Sequence, residues 1–374
     1  MRGVWSMENK FLTWGASMRT WSMAIDIMLL LSNLFASFTV GSITASAFAA
    51  NLPATTAQGV GDMRVVYSGM VWDAAPHNAF TDLTRWKERW YCSFREGSAH
   101  GSYDGAARII SSADGVEWKS FAHFVEEGQD LRDPKLCVLP DGRLLVGVGV
   151  RRQDKHDQGS WHTTSRVFIT ADGNAWDGPH TIGDTQVWMW RYVSHKDHVY
   201  SFGYRQRAKG RGGETFLRFY SSHDGVNWKR IAETKAGGGY VNEAAFAFEP
   251  DNRCVVLLRR EGGNSRLGLA QPPYNEWSWS DLGERFNGPA LLRLPDGRLL
   301  AGGRSKTLNA ASPMTAVAWL TIDPPALHPL LWLPSQHETG YPGLYFYDGR
   351  VWASYYSSQS GKCAIYIAQL EAAH

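Results

Sequence analysis

The chain has 374 residues, with 38 Lys and Arg against 36 Asp and Glu for a formal net charge of +2. A near-neutral balance without long runs of one sign argues against nucleic acid or an anionic membrane surface as partner. The length allows one large domain or two smaller ones. The four cysteines, Cys92, Cys137, Cys254 and Cys363, are far apart in sequence, which excludes a compact zinc-ligand motif.

Residues 23–40 are mainly apolar, interrupted by Asp26, Ser32 and Asn33 and, near the end, by Ser37 and Thr39; they follow Arg2, Lys10 and Arg19, and precede two small-x-small stretches, Ala45-Ser46-Ala47 and Ala47-Phe48-Ala49. This reads as an export signal over residues 1–50, cleaved near 47–50, with Met18 a second candidate start. A retained membrane anchor is the alternative; the apolar run is short and interrupted for that. Export makes the expected location secreted or periplasmic, with no stable membrane insertion after cleavage. Residues 51–62 are small, polar and Pro-containing, and read as a linker to a domain over 63–374.

Residues 63–71 are β-prone and are expected to add a strand to the last repeat beside residues 363–370, closing a ring. Six hairpins lie between. They run over 80–94 around Lys87-Glu88, 136–148 around Pro140-Asp141-Gly142, 192–203 around Lys196-Asp197, 242–260 around Pro250-Asp251-Asn252, 290–303 around Pro295-Asp296-Gly297, and 344–355 around Asp348-Gly349. Pro, Asp, Asn and Gly between apolar runs are turn chemistry, and a period of roughly 45–55 residues is that of propeller blades.

A second repeat interleaves with the first: Ser112-Ala113-Asp114-Gly115-Val116-Glu117-Trp118, Thr170-Ala171-Asp172-Gly173-Asn174-Ala175-Trp176 and Ser222-His223-Asp224-Gly225-Val226-Asn227-Trp228, with a decayed fourth copy ending at Trp277. The hydroxyl and carboxylate can take backbone donors, Gly permits positive φ, and Trp packs the turn onto the blade. One hairpin plus one such turn makes four strands. The expected fold is all-β, a six-bladed β-propeller of four-stranded antiparallel blades. The cysteines, one per strand in different blades, are expected to be buried free thiols. The charged stretches 151–161 and 209–213 are expected to be loops, either over the site or simply solvated.

Hairpin ends meet on the side away from the turn. One face therefore collects His77, Asn78, Arg95, Glu96, Arg132, Asp133, Arg191, Arg205, Asn242, Glu243, Arg259, Asn287, Arg304 and Tyr341. Arginines from several blades around one axis suggest an anionic ligand, most simply a carboxylate held by bidentate contacts; ion pairing between blades is the structural alternative. The Asp turns and Asp-Gly turns lie on the opposite face and read as scaffold.

The Ser/Thr-x-Asp-Gly-x-x-Trp repeat resembles the Asp box of the sialidase (neuraminidase) superfamily, over roughly residues 64–370. The segment from Asn242-Glu243 to Arg259 is similar to the one that carries that family's general base and a carboxylate-binding arginine. Gly302-Gly303-Arg304 resembles the position of another arginine, and Gly340-Tyr341-Pro342-Gly343-Leu344 the segment with the nucleophilic tyrosine. The resemblance implies an exo-α-sialidase-like hydrolase acting on a terminal sialic acid or similar acidic sugar of a glycan, with no cofactor. Tyr341 would be nucleophile and Glu243 its base, with Asn242, Arg259, Arg304, Arg95, Arg132 and Arg191 binding substrate; tyrosine nucleophiles are a known exception to the two-carboxylate rule. The family's acid aspartate follows the first hairpin, where Glu96, His100 and Asp104 stand here, which leaves Asp133 or Asp104 to supply the acid. The family's Arg-Ile-Pro motif is absent: the matching stretch is Pro76-His77-Asn78-Ala79-Phe80, which leaves Arg95 or Arg132 to supply the third arginine. Two further readings are a glycosidase using two carboxylates, Glu243 with Asp133 or Glu96, and a non-catalytic carbohydrate-binding propeller.

Overall fold

The computed structural model of the protein describes residues 62–153, 161–205, 215–306 and 312–373. The expected export segment, the linker up to Gly61 and most of the two expected charged loops lie outside the described residues.

Twenty-four strands form six four-stranded antiparallel sheets. The first blade holds β2 (His77–Trp86), β3 (Arg89–Gly97), β4 (Ala106–Ser112) and β5 (Lys119–Phe124). The second holds β6 (Gln129–Val138), β7 (Leu144–Gln153), β8 (Trp161–Thr170) and β9 (Asp177–Ile182). The third holds β10 (Val187–His195), β11 (His198–Arg205), β12 (Leu217–Ser222) and β13 (Lys229–Thr234). The fourth holds β14 (Tyr240–Phe248), β15 (Cys254–Glu261), β16 (Arg266–Ala270) and β17 (Ser278–Asp281). The fifth holds β18 (Asn287–Arg293), β19 (Leu299–Ser305), β20 (Met314–Ile322) and β21 (Pro325–Trp332). The sixth joins β22 (Thr339–Tyr347), β23 (Arg350–Ser357) and β24 (Ala364–Ala372) to β1 (Met63–Trp72), which pairs antiparallel with β24. Each innermost strand packs on the next, and β22 packs on β2. The ring is thus closed by hydrogen bonds between the two ends of the domain, as the β-prone runs at 63–71 and 363–370 anticipate.

Valine, leucine and alanine alternating along the middle strands fill the space between blades, for example Val255, Leu257, Ala301 and Ala316 between the fourth and fifth. Each such buried Val or Leu contributes roughly 1.5–3 kcal/mol. All four cysteines are buried free thiols; Cys363 lies one residue before β24 rather than within it.

The outer turns explain the tryptophan spacing. Ser222 Oγ accepts from Gly225 N at 3.0 Å, and Asp224 Oδ1 from Val226 N and Asn227 N at 2.8 Å each. Trp228 Nε1 then donates to Gly225 O at 2.8 Å. The turn at Asp114 repeats the pattern, as does that at Asp172 apart from the tryptophan bond. In the fourth blade Trp277 Nε1 donates to Tyr274 O at 3.0 Å, and Tyr274, at φ 65°, takes the place of glycine. Asp224→Ala is expected to lower unfolding stability by about 1–2 kcal/mol, through stranded turn donors. Although burial opposes it, the backbone and Asn227 hydrogen bonds hold this carboxyl far below its usual range. The contribution is therefore present above pH ~4 and lost as pH falls toward the folded-state value. Denaturant melts at neutral and acid pH measure both.

Candidate active site

The innermost strand of each blade carries a β-bulge near its start, seen as a break in register with the second strand. The residues set off there are Phe80, Asp133, Arg191, Asn242-Glu243, Gly288 and Tyr341. Phe80, Asp133, Arg191, Gly288 and Tyr341 all have φ between 49° and 66°. A bulge re-aims a side chain that a regular strand would bury against its neighbours. The same irregularity, repeated around the ring, turns one residue per blade toward the axis. Three of these bulges are followed by proline, Pro134, Pro289 and Pro342, which gives up no ladder hydrogen bond in such a place.

Tyr341 OH donates to Glu243 Oε1 at 2.8 Å, and Arg259 Nη1 lies 2.6 Å from Glu243 Oε2 and 3.0 Å from the Tyr341 oxygen. Gly288 N donates to Glu243 Oε2 at 3.0 Å. That contact needs a glycine: at φ 59° a Cβ there would stand 2.5 Å from Tyr341 Cγ. Burial pushes the Glu243 carboxyl up, but the Arg259 charge and the hydrogen bonds from Arg259, Tyr341 and Gly288 outweigh it and leave the group below the usual range. Burial, reinforced by Glu243, raises the Tyr341 hydroxyl, so a proton rests on the tyrosine and a charge on the glutamate. The Tyr341 ring is set by Phe80 at 5.0 Å and Trp190 at 5.6 Å.

Asp133 is buried, its carboxyl makes no hydrogen bond among the described residues, and its Oδ1 is fully enclosed. Burial raises its pKa against the opposing charges of Arg132 and Lys135, with Glu243 adding to the rise. Arg304 makes no hydrogen bond among the described residues, and its charge acts on both Tyr341 and Tyr356. Arg132 gives Nη1 to Asp130 Oδ2 and His100 O, at 3.0 and 2.6 Å, and its guanidinium lies 4.7 Å over the Phe80 ring.

Several residues expected to bind substrate are held by partners within the ring. Arg95 is fully buried; Nε bonds Asp130 at 2.6 Å, Nη1 the Ala99 carbonyl and Nη2 Ser102. Four of its five N–H groups are taken in this way and the guanidinium is wholly enclosed, so Arg95 presents no face to a ligand. Arg191 ties its own blade to three others, through Pro289 O at 2.8 Å, Asp82 Oδ1 at 2.8 Å and Pro342 O at 2.6 Å. Asn242 holds Glu261 Oε1 at 3.1 Å and caps the Glu243 amide at 2.8 Å, so it positions rather than contacts. Glu96 is held by Trp72 at 2.7 Å and Arg108 at 2.9 Å. Arg205 bonds Gln186, Asn287 accepts from Arg285, and Asn78 caps the Ala75 and Cys363 carbonyls. The one-sided set of arginines is thus largely ion-paired within the ring, while among the described residues Arg304 makes no hydrogen bond and Arg132 bonds only through Nη1. In the first blade, the position turned to the axis carries Phe80, an apolar ring.

Sequence reasoning missed Lys135, which is buried, gives Nζ to Thr81 O at 2.9 Å, lies 4.6 Å over Trp190, and is lowered by burial and by Arg191 to about 8. It missed Glu261, which binds Arg259 and Arg285. It also missed the bulges themselves, whose local signal is a proline inside a strand: Asp133-Pro134, Gly288-Pro289 and Tyr341-Pro342.

No family model matches the sequence, and no curated protein matches it. Solved structures do match in fold. A protein of unknown function from Dyadobacter fermentans superposes with TM-score 0.70 at 19% identity, over 84% of this chain and 100% of that one. An α-L-arabinofuranosidase from Fusarium graminearum, solved as a variant with an iminosugar inhibitor, gives 0.64 at 14% identity over 83% and 98%. A Trypanosoma rangeli sialidase in complex with sialic acid gives 0.61 at 11% identity, over 85% of this chain and 59% of that one. The chain therefore spans little more than half of the sialidase chain, and the likeness in all three cases is one of fold.

Proposed function

We propose that the protein is an exported glycoside hydrolase that removes a terminal sialic acid or similar acidic sugar from a glycan, with Tyr341 as nucleophile. The observation that carries this is the Tyr341 hydroxyl 2.8 Å from Glu243, with Arg259 bridging both; a nucleophile held by its base and the base held by a third group is the pattern of covalent catalysis. The Tyr341 proton passes to Glu243 as the phenolic oxygen bonds the anomeric carbon. The glycosidic C–O bond breaks, and the leaving oxygen takes the proton of Asp133. Water then attacks the anomeric carbon and gives a proton to Asp133, and the tyrosine oxygen leaves and recovers its proton from Glu243. A neutral nucleophile avoids repulsion from a carboxylate on the anomeric centre. Arg304 and Arg132 offer that carboxylate its guanidinium partners.

The two carboxyls are displaced in opposite directions, Glu243 down and Asp133 up, which supports the reading of Glu243 as base and Asp133 as acid. The expected kcat/KM profile is a bell. Activity is lost on the acid side as Glu243 takes a proton, below the ordinary ~4.3, and on the alkaline side as Asp133 loses one, above the ordinary ~3.9. Asp133→Asn should remove the alkaline limb and lower kcat; an alkaline limb unchanged in that variant would take the acid role from Asp133.

A second reading, a two-carboxylate glycosidase for a neutral sugar, is favoured by Phe80 at the first blade's axis position and by the unbonded Asp133 carboxyl. A panel of aryl sialosides, uronides and neutral pyranosides and furanosides separates the two. Hydrolysis confined to acidic sugars supports the first reading and hydrolysis confined to neutral ones the second. Binding without any hydrolysis would make the propeller a lectin.

A further inference from the structure

We propose that His77, His100 and Glu338 form a binding site for a divalent transition-metal ion of the zinc class at the rim of the same face. His77 opens β2 and is 6% exposed, His100 stands in the loop between β3 and β4, and Glu338 immediately precedes β22. His77 Nε2 lies 2.9 Å and His100 Nδ1 2.5 Å from the same oxygen, Glu338 Oε1. The three donor atoms all fall within 4.8 Å of one another.

Two imidazole nitrogens and one carboxylate oxygen form a donor set that suits zinc and its neighbours rather than calcium or magnesium. Tetrahedral zinc with bonds of about 2.0–2.1 Å sets its donor atoms about 3.3 Å apart. The carboxylate oxygen therefore needs to retreat from the two nitrogens by less than about 1 Å for the ion to enter.

The donors are also held by contacts other than those they make with one another. The His100 carbonyl accepts from Arg132 Nη1 at 2.6 Å, and its ring stands edge-on to His77 at 5.4 Å and to Phe80 at 5.3 Å. The Glu338 amide donates to Ser358 Oγ at 3.1 Å, and its carbonyl accepts from Ser358 N at 3.0 Å. The His100 side chain is 57% exposed, which gives an ion a way in. Three protein donors leave a fourth position for water. A bound ion would fasten the β3–β4 loop of the first blade to the sixth blade, beside the Phe80 ring that packs on Tyr341.

The test uses the full chain stripped with a chelator, dialysed against zinc chloride, and read by bound-metal analysis and by melting temperature. The expected result is about one zinc per chain and a melting temperature that rises with zinc concentration. His100→Ala and Glu338→Gln should each bind zinc at least about ten-fold more weakly. Circular dichroism without metal confirms that each variant is folded. A parent chain that takes up no zinc would overturn the proposal and leave the trio as two histidines sharing a carboxylate. Uptake at parental affinity in both variants would overturn it too, by placing the ion elsewhere, for example at the exposed Asp197, His198 and His223.

Discussion

Tyr341→Phe is expected to bind substrate and fail to turn it over, with kcat lowered about 10³-fold or more and KM within a few-fold of the parent. The substitution removes one atom. The ring keeps its contacts with Phe80 and Trp190, and Glu243 keeps Arg259 Nη1 and the Gly288 amide. Nothing else that positions the sugar changes, so a loss confined to kcat isolates the nucleophile. A kcat within ten-fold of the parent would make Tyr341 a packing residue in its Tyr-Pro bulge and favour the two-carboxylate reading. Steady-state kinetics on the best substrate of the panel decides.

The largest stability loss is expected for Arg191→Met, at about 3–5 kcal/mol. The Arg191 side chain is nearly buried, and it joins β10 to Asp82 on β2, to Pro289 on β18 and to Pro342 on β22. Methionine fills much of the space but leaves two carbonyls and a buried carboxylate without that cation, and broken buried pairs cost more than exposed ones. Equilibrium unfolding in urea measures the change. A loss under about 1 kcal/mol would mean that Lys135, near Asp82, takes over the charge.

The features legible in the sequence are those whose cause is local. Turn residues such as Pro140-Asp141-Gly142 and Pro295-Asp296-Gly297 sit between apolar runs, and the blades follow from their spacing. The closing strand was legible because residues 63–71 have no hairpin partner of their own. The face that carries Glu243, Arg259, Arg304 and Tyr341 follows from strand direction alone. What the sequence hides is pairing at long range. Arg95 looks like any arginine at a hairpin end, and only the fold shows Asp130, 35 residues on, taking its Nε. Arg191 finds its carboxylate 109 residues earlier. The bulges that turn Asp133 and Tyr341 inward depend on register with a second strand, so the proline after each is a faint trace of them. The trio of His77, His100 and Glu338 joins the two ends of the repeat across the ring closure, where no sequence spacing hints at it.

The proposed reaction requires a covalent bond between Tyr341 and the anomeric carbon of an acidic sugar. Incubation with 2,3-difluorosialic acid, whose fluorines slow breakdown of such an intermediate, followed by peptide mass analysis, tests it most directly. One fluorosugar is expected on the peptide that contains Tyr341, and none in Tyr341→Phe. A label on Glu243 or Asp133, or labelling by a fluorinated neutral sugar alone, would contradict it.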